Sequence, residues 1–251
     1  MGSFKTEMTP EQLPFMAAAI LAIAFLYSSV GHAGASGYIA VLSLFSLAPE
    51  VIKPTALVLN ILVACLASWQ FWRAGYFSWS EFWPFALLSV PLAFVGGYVR
   101  LPPRAFTVLV GLVLLVSAAR LLMRPPADVK KSDPPRSASL AIGGGIGFLS
   151  GLTGTGGGIF LTPILLFKQW ARTRSASALS AFFILLNSVA GLLGNLSSTK
   201  SFPAPALALL VAAGVGGVAG SYLGSQRLEP TVIKRMLALV LLIAGGKLIL
   251  A

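Results

Sequence analysis

GHAGASG at 31–37 and GLTGTGGG at 151–158 decide how this chain is read. Shifted by 120 positions, Gly31 falls on Gly151, Gly34 on Gly154 and Gly37 on Gly157. Each motif follows an apolar stretch and leads straight into another, IAVLSLF from Ile39 and IFLTPILLF from Ile159. A glycine cluster inside hydrophobic sequence interrupts a helix and strips backbone N–H groups of their intrahelical partners. Lipid cannot satisfy those groups, so such breaks persist only where they are buried in protein or line a watery cavity. Matching breaks in two halves of a chain point to a transporter's substrate site.

The surrounding sequence is membrane sequence. Of 251 residues, 57% are hydrophobic and only 10% charged, where a soluble domain carries roughly 25%. Apolar runs that read as spans fall at 13–30, 55–71, 82–99, 106–122, 140–152, 177–194, 205–223 and 232–250, the fifth short as a broken element would be. The expected fold is an all-α polytopic membrane protein. It has about eight transmembrane elements in two homologous four-element halves, each with a glycine-broken helix or re-entrant hairpin. Nearly the whole chain lies in or beside a bilayer, which leaves no soluble domain for a separate activity.

The formal net charge is +11. Lys and Arg lie in short loops and form no stripe with interleaved aromatics, so no nucleic-acid partner is expected. Basic loops read instead as topology signals, and a positive protein attracts anions. The one cysteine, Cys65, sits inside a span and excludes an intrachain disulfide or thiolate metal cluster. Lys5, Glu7 and Glu11 precede the first apolar run without a basic n-region or cleavage site, so no cleaved signal peptide is expected.

RPPADVKKSDPPRSAS (124–139) is the one long polar stretch. It divides the chain into a first membrane repeat (1–123), a polar linker (124–138) and a second membrane repeat (139–251). Further matches support a duplication: VGGYV (95–99) with AGSYL (219–223), and LPPRAFTVLVGLVLLVSAARLL (101–122) with LEPTVIKRMLALVLLIAGGKLI (228–249). If each broken element crosses once, the repeats are parallel and basic residues divide nine to nine. If each is a hairpin, the repeats are inverted and the division is twelve to six. The positive-inside rule favours the uneven count.

Helices starting near Ile39 and Ile159 would present N-terminal N–H groups and a partial positive charge to the glycine loops. Two such ends facing each other make an anion site without a fully charged side chain. The candidate substrate-binding residues are Gly31, His32, Gly34, Ser36, Gly37, Asn60, Thr153, Gly154, Thr155, Gly156, Gly157, Gly158 and Asn187. His32, the sole histidine, is the candidate for proton coupling. On the 120 shift its counterpart is Leu152. Asn60 and Asn187 sit in mid-span, where amides must face protein. Lys53, Arg172 and Arg174 each precede a span and read as topology determinants. Gly96, Gly97, Gly214, Gly216 and Gly217 read as packing glycines.

No nucleotide-binding loop, dinucleotide fingerprint, HExxH or Cys/His cluster is present, so no cofactor or metal is expected. All seven acidic residues fall in loops or flanks, which argues against a carboxylate relay. The residues by themselves read as a secondary transporter of a small anion, not an enzyme. A passive anion channel and an intramembrane enzyme using His32 are the alternatives.

Residues 31–37 with the span from Lys53, and GLTGTGGGIFLTP (151–163) followed by ARTRSASALSAFFILLNSVAG (171–191), resemble the TauE/SafE family of sulfite exporters. The resemblance covers nearly the whole chain. It implies a multi-pass protein of the bacterial inner membrane with two related halves. Its implied partners are the lipid bilayer and a small inorganic or organosulfur anion, sulfite or a sulfonate, with room for proton coupling and a homo-oligomer.

Overall fold

The computed structural model describes residues 10–29, 31–100, 102–122, 129–130, 132–200, 206–224, 238–239, 241–243 and 245–246. Helices dominate them. In chain order they are α1 (Leu13–Ser28), α2 (Ala35–Leu44), α3 (Pro49–Arg73), α4 (Trp79–Tyr98) and α5 (Pro103–Leu122). Then come α6 (Arg136–Thr153), α7 (Gly158–Phe167), α8 (Thr173–Thr199) and α9 (Leu207–Gly224). By length and composition α3, α4 and α8 suffice to cross a membrane. α1, α2, α7 and much of α9 are shorter apolar helices. The expected span at 232–250 lies mostly outside the described residues.

Several expected bounds shift. α2 starts at Ala35, four residues before Ile39, so Ser36 and Gly37 are helical rather than part of the break. α3 begins at Pro49, where proline's missing N–H costs nothing in a first turn. α6 begins at Arg136, inside the stretch read as linker, and runs for 18 residues.

Small residues set the packing. A Cβ on Gly143, Gly147 or Gly151 of α6 would strike the backbone of Phe85, Ser89 or Ala93 of α4, respectively. Rising numbers meet rising numbers, so α4 and α6 run parallel at backbone contact. α9 packs on α1 the same way, Gly216 against Leu21 and Gly220 against Phe25. Gly97 of α4 meets Gly191 of α8. Among the described residues Gly214 meets only Leu62, at a distance that would admit a Cβ.

The remaining directions follow from side-chain pairs. Ser89 donates to Asn187 Oδ1 and Arg100 to Ser198, so α8 runs parallel to α4. Asn60 bonds Ser188 while Phe71 and Ser177 both border Gly31, so α3 runs antiparallel to α8. Gly156 borders Ser188, Gly158 borders Ile184 and Thr162 bonds Ser180, so α7 runs antiparallel to α8. α6 goes with α8 and α7 against it. The chain therefore folds back at 154–157 instead of crossing onward. At the first break Gly37 of α2 lies against Ile23 and Tyr27, the last turns of α1.

These directions separate the charges. Arg73, Lys168, Arg172 and Arg174 lie at one end, with the linker residues Lys130 and Arg136. There Arg174 donates to Tyr76, Arg136 stacks over Trp83, and Lys130 pairs with Glu81 and Asp133 at 2.6 and 2.7 Å. The hydrogen bonds to Asp133 and then Glu81 raise the Lys130 pKa. Arg100, Arg104 and Lys200 lie at the opposite end. Outward faces keep large apolar side chains such as Phe15, Leu87, Leu112 and Leu193 exposed, as lipid contact requires.

Candidate functional site

Two glycine turns face each other across the α3–α8 pair. In the first, Gly31 closes α1 and Gly34 opens α2, both in the left-handed region at φ 79° and 100°. In the second, Gly154 closes α6 and Gly157 opens α7, at φ 76° and 80°. Both turns follow a Gly-x-x-Gly pattern, and Ala35 and Gly158 open their 10-residue helices.

That geometry corrects the alignment of the motifs. The separation is 123 positions, from Gly31 to Gly154 and from Gly34 to Gly157, not 120. Gly151 belongs to the α4–α6 packing seam. On this spacing His32 matches Thr155 in sequence rather than Leu152.

Asn60 joins the turns. It is fully buried, its Oδ1 accepts from the Ala35 N–H at 3.1 Å, and its Nδ2 donates to Ser188 Oγ at 2.9 Å. Gly156 lies directly over that Nδ2, and a Cβ there would displace it. A side chain from α3 therefore caps the α2 N-terminus and braces the second turn. Ser36 and Gly37 N–H, next in α2, have no hydrogen-bond partner among the described residues.

His32 is 8% exposed, and its Nε2 lies 3.0 Å from Thr162 Oγ1 on α7. Thr162 gives its only hydroxyl proton to Ser180 on α8 at 2.6 Å. With that proton given to Ser180, the Thr162 oxygen can accept from the Nε2–H tautomer of His32. This chain of polar groups crosses from the first turn to the helices of the second half. Two tyrosines stiffen the first turn: Tyr38 OH donates to Ala33 O at 2.7 Å, and Tyr27 OH meets Ser36 Oγ at 2.8 Å.

Other candidates are placed differently. Thr153 spends its proton on Leu149 O, and Thr155 then donates to Thr153 at 3.0 Å. Asn187 turns to α4, accepting from Ser89 and donating to Phe183 O. It ties helices, while its neighbour Ser188 meets Asn60. Gly158 admits Ile184 of α8.

Sequence reasoning undervalued three residues here. Ser188 and Thr162 are hydroxyls in apolar helices, whose usual partner is their own backbone. Lys53 read as a topology signal. In the structure it is 6% exposed, lies under Gly154, and donates to Gly96 O and Gly97 O at 3.4 and 3.2 Å.

The chain matches the family described as sulfite exporter TauE/SafE over residues 16–248. It is 41% identical over 239 residues to the probable membrane transporter protein y4hK of Sinorhizobium fredii, covering 93% of this chain and 97% of that one. It is 32% identical over 113 residues to the probable membrane transporter protein YunE of Bacillus subtilis, covering 45% and 41%. No solved structure matches. A multi-pass architecture of apolar helices, turned back at paired glycine breaks, thus comes with a family match across most of the chain: this protein belongs to the TauE/SafE family of membrane transporters.

Proposed function

We propose that the protein is a secondary transporter of the bacterial inner membrane that exports a small oxyanion, sulfite or an organosulfonate. The anion is held where the two Gly-x-x-Gly turns approach each other at Asn60. The observation that carries this reading is that one buried amide touches both turns. Irregular backbone at membrane depth is stable only inside protein or beside water, and paired breaks supply N–H donors from opposite halves.

The two halves are proposed to be inverted repeats of about four elements each. Supporting this, α1 pairs with α9 while α6 pairs with α4, and each pair runs parallel. The partners are exchanged between halves, as a two-fold relation requires. His32, bonded across to α7, is the proposed proton-coupling group.

The test is transport by the full chain reconstituted in liposomes. Labelled sulfite flux should saturate, respond to a proton gradient, and be competed by sulfonates. Flux that is linear in concentration and indifferent to the gradient would identify a channel. Chemical conversion of the anion would identify an enzyme.

A further inference from the structure

Among the described residues, Lys53 is a buried cation with no carboxylate paired to it. Among the described residues the ion pairs are those of Lys130 with Glu81 and Asp133, at the surface. Lys53 is instead held by two backbone carbonyls at the C-terminal end of α4. Removing an ammonium from water costs several kcal/mol unless an opposite charge replaces the hydration. Two neutral carbonyls at 3.2–3.4 Å replace it only in part.

Position adds a second observation. α3 starts at Pro49 and α8 at Thr173, so Lys53 corresponds to Ser177. Each of these residues borders the closing glycine of the opposite half's turn: Lys53 packs against Gly154, and Ser177 against Gly31. Within the turns, His32 corresponds to Thr155. Each turn is thus furnished with one basic nitrogen and one hydroxyl, in exchanged positions. The first has His32 on the loop and Ser177 facing it. The second has Thr155 on the loop and the Lys53 stem packed under Gly154, with its ammonium on the adjoining α4 carbonyls. A third observation lies beside the second turn. Ser150 Oγ is fully buried, has no hydrogen-bond partner among the described residues, and belongs to the residue packed against Gly157.

We infer that Lys53 is the charged group of a second anion position, at the Gly154–Gly157 turn. An oxyanion leaving the Asn60 meeting point would be received there by the ammonium. This side faces the end bearing Arg100 and Lys200, away from the end rich in basic residues. The inference rests on the anion-transporter reading and assigns to it the step nearest that end.

The test is calorimetric titration of the purified full chain in detergent with sodium sulfite, and in parallel with sulfate and chloride. Thermal unfolding is read in anion-free buffer. Lys53→Gln should weaken binding by roughly tenfold or more, since a charge-assisted hydrogen bond is lost. Its Tm without anion should stay the same or rise, because an uncompensated buried charge is gone. Lys53→Arg should bind within a few-fold of the wild type. If Lys53→Gln does not fold, Lys53→Met, which preserves the stem under Gly154, reads the same quantities. Were Lys53 only a cap for α4, Gln and Met would lower Tm and leave the sulfite Kd unchanged, and that result overturns the inference. If the wild type binds none of the three anions, the anion-transporter reading fails and this inference falls with it. Unchanged binding in the variants alone defeats only the role of Lys53.

Discussion

Asn60 and His32 show how much the site depends on neutral chemistry. Asn60 offers an acceptor to α2 and a donor to Ser188 with one amide. Asn60→Asp keeps the shape and the acceptor but adds negative charge between the turns. It should fold, because Ser188 can turn its own proton to the carboxylate, and it should lose sulfite flux by at least about tenfold. Flux near wild type would mean that the anion passes elsewhere. For His32, a second proton adds positive charge beside the first turn, so anion flux should rise as pH falls. His32→Gln, which can still meet Thr162, should bind sulfite but show a flat pH profile. An unchanged profile would leave His32 as a structural tie. At this scale the sequence was a partial guide. His32 and Asn60 stood out as polar groups amid apolar residues, and both lie at the turns. Asn187 carried the same signal and faces α4, because a mid-helix amide reveals nothing of its direction around the helix. Lys53 was hidden for the opposite reason: a lysine just before a span reads as a topology determinant.

The helical elements were largely legible, and the errors share one cause. Hydropathy located the interruptions near Gly31 and Gly154, and the structure shows that both are turns. Counting glycines to align them failed by three positions, because Gly151 and Gly37 are packing glycines adjoining the turn glycines. Only backbone conformation separates the two uses: Gly31, Gly34, Gly154, Gly156 and Gly157 have positive φ, whereas Gly37 and Gly151 do not. The α4 seam supplies a direct test. A Cβ on Gly97 would strike the Gly191 backbone, and one on Gly151 would strike Ala93. Gly97→Ala or Gly151→Ala should destabilise by about 1–3 kcal/mol, the usual effect of overpacking. Gly145→Ala, with nothing within 4 Å, should be neutral or stabilising by up to about 1 kcal/mol. Thermal unfolding in detergent checks all three. Equal Tm values would mean that the helices have room to separate.

For the molecule as a whole, turn geometry and charge agree. Fold-back turns give the orientation in which Arg73, Lys130, Arg136, Lys168, Arg172 and Arg174 share one end. That arrangement agrees with the twelve-to-six division of basic residues expected from the sequence, and the positive-inside rule predicts that this end is cytoplasmic. In a Cys65→Ala background, Ser132→Cys should be labelled from the cytoplasm and Lys200→Cys from outside. Labelling of both from one face would mean that α8 does not cross as described. The substrate was never legible from the residues, since N–H donors and a histidine select for an anion and not for sulfur. The decisive measurement is therefore counterflow. Liposomes holding the protein and preloaded with unlabelled sulfite are diluted into trace labelled sulfite. The label should accumulate transiently above its equilibrium level, and accumulation should be absent with Asn60→Asp. Simple equilibration without an overshoot, or an equal overshoot in the variant, would contradict a carrier built on the two turns.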